Sequence, residues 1–172
     1  MTVIVLMGVS GVGKTTVGRR LAEALGYGYA EGDSYHPAAN IEKMRSGQPL
    51  EDDDRWPWLH AMAADIDGWR ASGTGMVLAC SALKRAYRDI LIGEREDVRL
   101  VQLSGEEALI RSRIEARRHE YMPASLLITQ LATLQPPTAD ERPIVVDVRD
   151  TPEACVAAIV AALAAAPAEA GR

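Results

Sequence analysis

Eight consecutive residues, Gly8-Val9-Ser10-Gly11-Val12-Gly13-Lys14-Thr15, constrain this chain more than any other stretch. They satisfy the pattern G-x-x-x-x-G-K-[ST], in which a strand enters a glycine-rich turn and a helix leaves it. Both flanks fit. Thr2 to Met7 is a continuous β-rich apolar run, as expected of a strand buried on both faces. Residues 14–25 place Val17, Leu21 and Leu25 at helical spacing, and Gly26 stands where a helix stops. The glycines let the main chain turn its N–H groups inward around a phosphate, and the helix points its positive end to the same place. Gly8, Val9, Ser10, Gly11, Val12, Gly13, Lys14, Thr15 and Thr16 are therefore the expected contacts of a nucleoside triphosphate. Lys14 supplies the point charge for the outer phosphates, and the Thr15 hydroxyl suits Mg²⁺. A dinucleotide-binding loop is excluded, because Gly11-Val12-Gly13 would need glycine at position 16, where Thr16 stands.

Beyond the loop, strand-like and helix-like segments alternate. Strands are expected at Tyr27 to Glu31, Gly75 to Ser81, Val98 to Leu103 and Ile144 to Val148. Helices are expected at Pro37 to Ser46, Asp54 to Ser72, Lys84 to Ile92, Glu106 to Arg118, Pro123 to Leu134 and Thr151 to Ala166. Strands separated by helices imply a parallel sheet with right-handed crossovers, hence a three-layer α/β/α fold. Ligands then belong at the carboxyl ends of the strands. No linker interrupts residues 1–166, so one domain is expected, followed by a short tail at 167–172.

With 172 residues and a formal net charge of −5, the chain suits neither nucleic acid nor an anionic membrane as partner. An anionic substrate must be held by a local cluster of cations. Cys80 and Cys155 make no disulfide framework, and neither a targeting segment nor a membrane span is legible, so a cytoplasmic setting is expected.

A second set of signatures follows the loop. They are Glu31-Gly-Asp-Ser-Tyr-His-Pro37, Asn40-Ile-Glu-Lys-Met44, Gly47-Gln-Pro-Leu50 and Asp52-Asp-Asp-Arg-Trp-Pro-Trp-Leu59. Further on come Cys80-Ser-Ala-Leu-Lys84, Tyr87-Arg-Asp89, Thr129-Gln130, Thr133-Leu-Gln135 and Ala139-Asp-Glu141. In this order they resemble the gluconate kinases, over about Val3 to Asp147. The resemblance implies phosphoryl transfer from ATP to gluconate, giving 6-phosphogluconate. It also implies the fold of shikimate and nucleoside monophosphate kinases, with a five-stranded sheet in the order 2-3-1-4-5, a mobile lid and a homodimer.

Residue chemistry singles out individual positions. Transfer to a hydroxyl needs a carboxylate to hold and deprotonate it, and Asp33 stands at the carboxyl end of the second strand. The competing reading is a turn cap. Glu31 is placed to hold a metal-bound water. The substrate carboxylate wants a cationic fork, for which Arg55 and Arg88 are candidates, with Lys84 nearby. The alternative for Arg55 is a surface pair with Asp52 or Asp53, and for Lys84 and Arg88 a solvated helix face. His36 and Asn40 suit the polyol. The Gln135 to Thr138 loop is the candidate for adenine. Arg111, Arg113, Arg117 and Arg118 concentrate cations in a segment that resembles the lid, roughly residues 111–126. Arg113 and Arg117 share a helix face and are expected to neutralise the transferring phosphoryl group. Arg118-His-Glu-Tyr-Met122 departs from the family's Gly-His-aromatic, so His119 is given no role. At this point another sugar-acid or shikimate-type kinase, or a non-catalytic ATP-binding regulator, stays open.

Overall fold

A computed structural model of the chain describes residues 2–116 and 124–165. Its five strands are β1 (Val3–Met7), β2 (Gly28–Glu31), β3 (Met76–Ala79), β4 (Val98–Ser104) and β5 (Ile144–Asp147). All neighbouring strands pair parallel, in the order β2-β3-β1-β4-β5. The helices are α1 (Lys14–Leu25), α2 (Ala38–Arg45), α3 (Asp52–Ser72), α4 (Arg85–Leu91), α5 (Glu107–Ala116), α6 (Ala124–Thr133) and α7 (Pro152–Ala165).

The central strand explains the layering. Successive side chains of a strand point to opposite faces, and β1 is apolar at every position. Ile4 and Leu6 join a core with Val17, Leu21, Ile110, Leu127 and Ile159, contributed by α1, α5, α6 and α7. Val3, Val5 and Met7 join a second core with Trp58, Leu59, Met62, Ile66, Tyr87 and Leu91, from α3 and α4. One strand thus serves two cores, which is what a continuous apolar run predicts. Among the described residues, no helix is long and apolar enough to cross a membrane.

Local differences from the sequence expectation have physical causes. α3 starts two residues early, because Glu51 rather than Asp52–Asp54 flanks it. Glu51 and Asp54 form a reciprocal capping box, in which the Glu51 N–H donates to Asp54 Oδ2 at 2.8 Å. Short 3-10 turns at Gly32–Tyr35 and Ala139–Glu141 were not anticipated. The first turn presses its backbone against β3: a Cβ on Gly32 would lie 2.5 Å from the Ala79 carbonyl oxygen. Only glycine fits there, and that close approach brings the next residue, Asp33, to the end of the sheet.

Candidate active site

The turn after β1 holds its own lysine. Lys14 Nζ donates to the carbonyls of Gly8 at 2.8 Å and Val9 at 3.1 Å, at the mouth of the turn. Burial pushes this ammonium below lysine's ordinary pKa, while the negative fields of Asp33 and Glu31 act the other way. The turn is also braced from above. A Cβ on Gly11 would lie 2.4 Å from Ile114 Cγ1 of α5. The Ser10 N–H donates to Gln130 Oε1 of α6 at 2.6 Å, and Gln130 Nε2 donates to Ser10 Oγ at 3.0 Å.

Beside the loop, Glu31 Oε2 accepts from Thr15 Oγ1 at 3.0 Å and from the Tyr29 hydroxyl at 2.6 Å. Burial first, then the bond to Glu31, raises the Tyr29 pKa, so the phenol keeps its proton and orients the carboxylate. Among the described residues, no group of three or more His, Cys, Asp or Glu side chains makes a metal cage. Thr15 and Glu31 instead offer two hard oxygen donors next to the phosphate turn, a fitting pair for Mg²⁺.

Asp33 is exposed in the 3-10 turn after β2, and no side-chain cap bond closes that turn. Ser34 Oγ takes up the turn's polar work, donating to the Glu31 carbonyl at 2.6 Å. The neighbour's hydroxyl thus ties the turn to the end of β2, and no side-chain cap bond is seen at its start. The turn is pinned from behind by Trp58 of α3, 1% exposed, whose Nε1–H donates to the Gly32 carbonyl at 2.7 Å.

Trp58 also stacks on His36, with ring centroids 4.4 Å apart and planes 12° from parallel. Asn40 Nδ2 donates to the Asp54 carbonyl at 2.8 Å and reaches His36 Nδ1 at 3.3 Å. An amide donor on Nδ1 leaves the imidazole proton on Nε2. Burial lowers the His36 pKa, outweighing Asp33, so the ring is a neutral Nε2–H donor at neutral pH.

The cations divide. Arg55 makes one long bond, from Nη2 to the Leu50 carbonyl at 3.4 Å, and lies 5.7 Å over the Tyr87 ring. Among the described residues, the rest of its fork carries no hydrogen bond. Lys84 Nζ is paired with both oxygens of Asp52, at 2.8 and 3.0 Å, and Tyr87 donates its hydroxyl to the same carboxylate. Arg88, expected at the substrate carboxylate, is committed within the protein. Its side chain is 2% exposed, and it grips Glu141 through Nε at 2.5 Å and Nη2 at 3.0 Å. Its Nη1 donates to the Ala82 and Leu83 carbonyls. A guanidinium so committed ties α4 to the turn before β5 and has no fork left for a substrate carboxylate.

The remaining expectations fare unevenly. Arg113 Nη2 donates to the Val148 carbonyl just past β5, at 2.6 Å, so the structure turns it toward that strand end. Arg117 lies outside the described residues. The Gln135–Thr138 loop has other work: Gln135 Oε1 accepts from the Arg85 N–H at the start of α4, and Thr138 caps the second 3-10 turn. Cys80 is buried just past β3, where desolvation pushes its thiol up to about 12. It is inert packing. Sequence reasoning reads Asp52 only as part of a helix start and gives no role to Tyr87, Gln130 or Glu141, although all four sit within the quoted signatures. Nothing in the sequence marked Tyr29.

Residues 3–137 match the model of a family described as an AAA domain. The chain is 48% identical to a gluconokinase of Gluconobacter oxydans, over 80% of this chain and 78% of that one. It is 45% identical to a probable gluconokinase of Schizosaccharomyces pombe, over 83% of this chain and 77% of that one. Among solved structures, a gluconokinase from Sinorhizobium meliloti superposes with a TM-score of 0.85 at 46% identity, covering 95% of this chain and 91% of that one.

Proposed function

The chain belongs to the gluconokinase family, and on that premise we propose that its site transfers the γ-phosphoryl group of ATP to a hydroxyl of gluconate, giving 6-phosphogluconate and ADP. The observation that carries the reading is the exposed Asp33 carboxylate at the end of β2, in a turn closed by no side-chain cap bond, with its negative field acting on Lys14.

The chemistry divides between the two sides of the site. N–H groups of residues 8–15 and the Lys14 ammonium hold the triphosphate, where preorganised donors need no reorganisation as charge moves. On the other side, Asp33 orients the acceptor hydroxyl and takes its proton as the new oxygen–phosphorus bond forms. The bond from the γ-phosphorus to the bridging oxygen breaks, and ADP leaves. Arg55 offers its open fork to the gluconate carboxylate. The His36 Nε2–H donates to the polyol, and Lys84, braced by Asp52, adds the second positive charge on that side. Thr15 and Glu31 would hold Mg²⁺, which screens the phosphate oxygens when bound.

The same reading extends to what surrounds the site. Roughly residues 111–126 serve as the lid, whose arginines neutralise the transferring group; Arg113 has to leave the Val148 carbonyl to do so. Residues 1–166 act as one kinase domain ahead of the tail at 167–172. The protein works as a cytoplasmic homodimer on a small molecule, with no nucleic acid or membrane partner. The test is ADP release with ATP and Mg²⁺ over a panel of acceptors. Gluconate should stimulate it far more than glucose, which lacks the carboxylate, or shikimate, which lacks the extended polyol. Equal stimulation by glucose removes the role of Arg55. ATP binding without acceptor-dependent turnover would identify a regulator instead.

A further inference from the structure

The two hydrogen bonds between Ser10 and Gln130 join parts of the chain 120 residues apart. Nothing in the phosphoryl-transfer scheme above uses them. Ser10 is the third residue of the phosphate turn, and Gln130 lies on α6, the helix that follows the arginine segment. The carboxamide closes a ring on Ser10, its oxygen taking the main-chain N–H and its nitrogen giving a hydrogen to the hydroxyl.

Which side of the turn this grips follows from Lys14. The lysine of such a loop reaches the β- and γ-phosphates. Here its ammonium rests on the carbonyls of Gly8 and Val9, so the Gly8–Ser10 side of the turn faces the outer phosphates. Ser10 is the next residue along. Gln130 therefore approaches the nucleotide where ATP differs from ADP. Its neutral amide suits that position, since a carboxylate of the same shape would set a negative charge against the outermost phosphate.

Resting on the kinase reading, we propose that Gln130 is a positioning residue for the donor. It fixes the outer-phosphate side of the turn through Ser10, and so contributes to the preference for a triphosphate over a diphosphate. The bonds also give a direct path by which filling the turn is felt by α6.

Titration calorimetry of ATP and ADP, without gluconate, separates this from failure of the acceptor assignment. Gln130→Glu keeps the shape and can still accept from the Ser10 N–H, while the Ser10 hydroxyl can reverse and donate. Its ATP affinity should fall by about tenfold or more, and its ADP affinity by less than about threefold, with melting near wild type. Gln130→Leu removes both bonds without adding charge. It should weaken ATP by about threefold more than ADP, and it serves as the reading if the glutamate variant does not fold. Equal losses for both nucleotides would make Gln130 a structural tie only. That outcome, or unchanged affinity for both nucleotides in both variants, would overturn the proposal.

Discussion

The donor side and the acceptor side of this site are built by opposite means. The donor side is one continuous turn, residues 8–15, whose main chain does the holding, with Lys14 fastened to carbonyls of the same turn. The acceptor side is assembled from β2, α2, α3 and α4, and side chains hold it together: Trp58 to Gly32, Asn40 between His36 and Asp54, Lys84 and Tyr87 on Asp52. Backbone recognition tolerates few alternatives, because the phosphate is read by geometry alone. A side-chain wall can be re-lined residue by residue, so specificity belongs there and the donor chemistry does not change with it.

That contrast can be broken most forcefully at Lys14. Lys14→Met should lower turnover by about a thousandfold while leaving melting close to wild type, since a group already disfavoured by burial is replaced by an apolar one of similar length. Retention of more than about a tenth of wild-type turnover would mean that the turn's main chain suffices by itself. The matching test across the site is Asp33→Asn. An amide cannot take the acceptor's proton, so kcat should fall by roughly a hundredfold, with ATP affinity and melting temperature unchanged. Near-normal kcat in a stable Asp33→Asn protein would return Asp33 to the surface.

A third test sets two arginines against each other. Arg55→Ala should raise the KM for gluconate by about tenfold or more, with little loss of stability, because its fork is largely open. Arg88→Ala should strip Glu141 of its two-bond partner, leaving it the Thr138 N–H and a longer contact with Arg85, at a cost of about 3 kcal/mol, roughly 10 °C of melting temperature at this chain length. The reverse pattern would exchange their roles.

The smallest effect expected is one of pH. Burial sets the folded pKa of His36 below its unfolded value of about 6.5, so protonation favours the unfolded chain. Its contribution to stability is complete above that value and is lost as the pH falls from there toward the folded pKa. His36→Gln should remove this part of the acid sensitivity, so its melting temperature should fall less than that of wild type between pH 7.5 and 5.5. Identical pH profiles would show that the ring gains protons as easily folded as unfolded.

The donor side was legible in the sequence because its chemistry is contiguous, and the strand and helix around it confirmed the context. Strand order followed from the resemblance, and the sheet type from the alternation of elements. The acceptor side was legible only as a set of residue types. Arg55 and Arg88 look alike in sequence, and the difference between them is Glu141, 53 residues beyond Arg88 in the chain. No periodicity marks a pair at that distance. Asp52 likewise reads as a helix start, and its hold on Lys84 and Tyr87 depends on how α3 meets α4. Gln130 was visible as part of a signature, but its contact with Ser10 exists only once α6 has docked.

The order of the strands has a consequence for how the protein is made. β1 pairs with β3 and β4, and among the described residues β2 pairs only with β3. As they leave the ribosome, β1 and β2 therefore do not bond to each other. At the usual ~5–20 residues per second, the phosphate turn waits several seconds for the strands that will hold it. During that interval Val3–Met7, apolar at every position, has no ladder to join. Arrival of Met76–Ala79 is the event that ends the exposure, because that one strand pairs with both of those waiting. A slow codon run or a chaperone site placed before residue 76 would therefore act on the chain when it is most prone to aggregate.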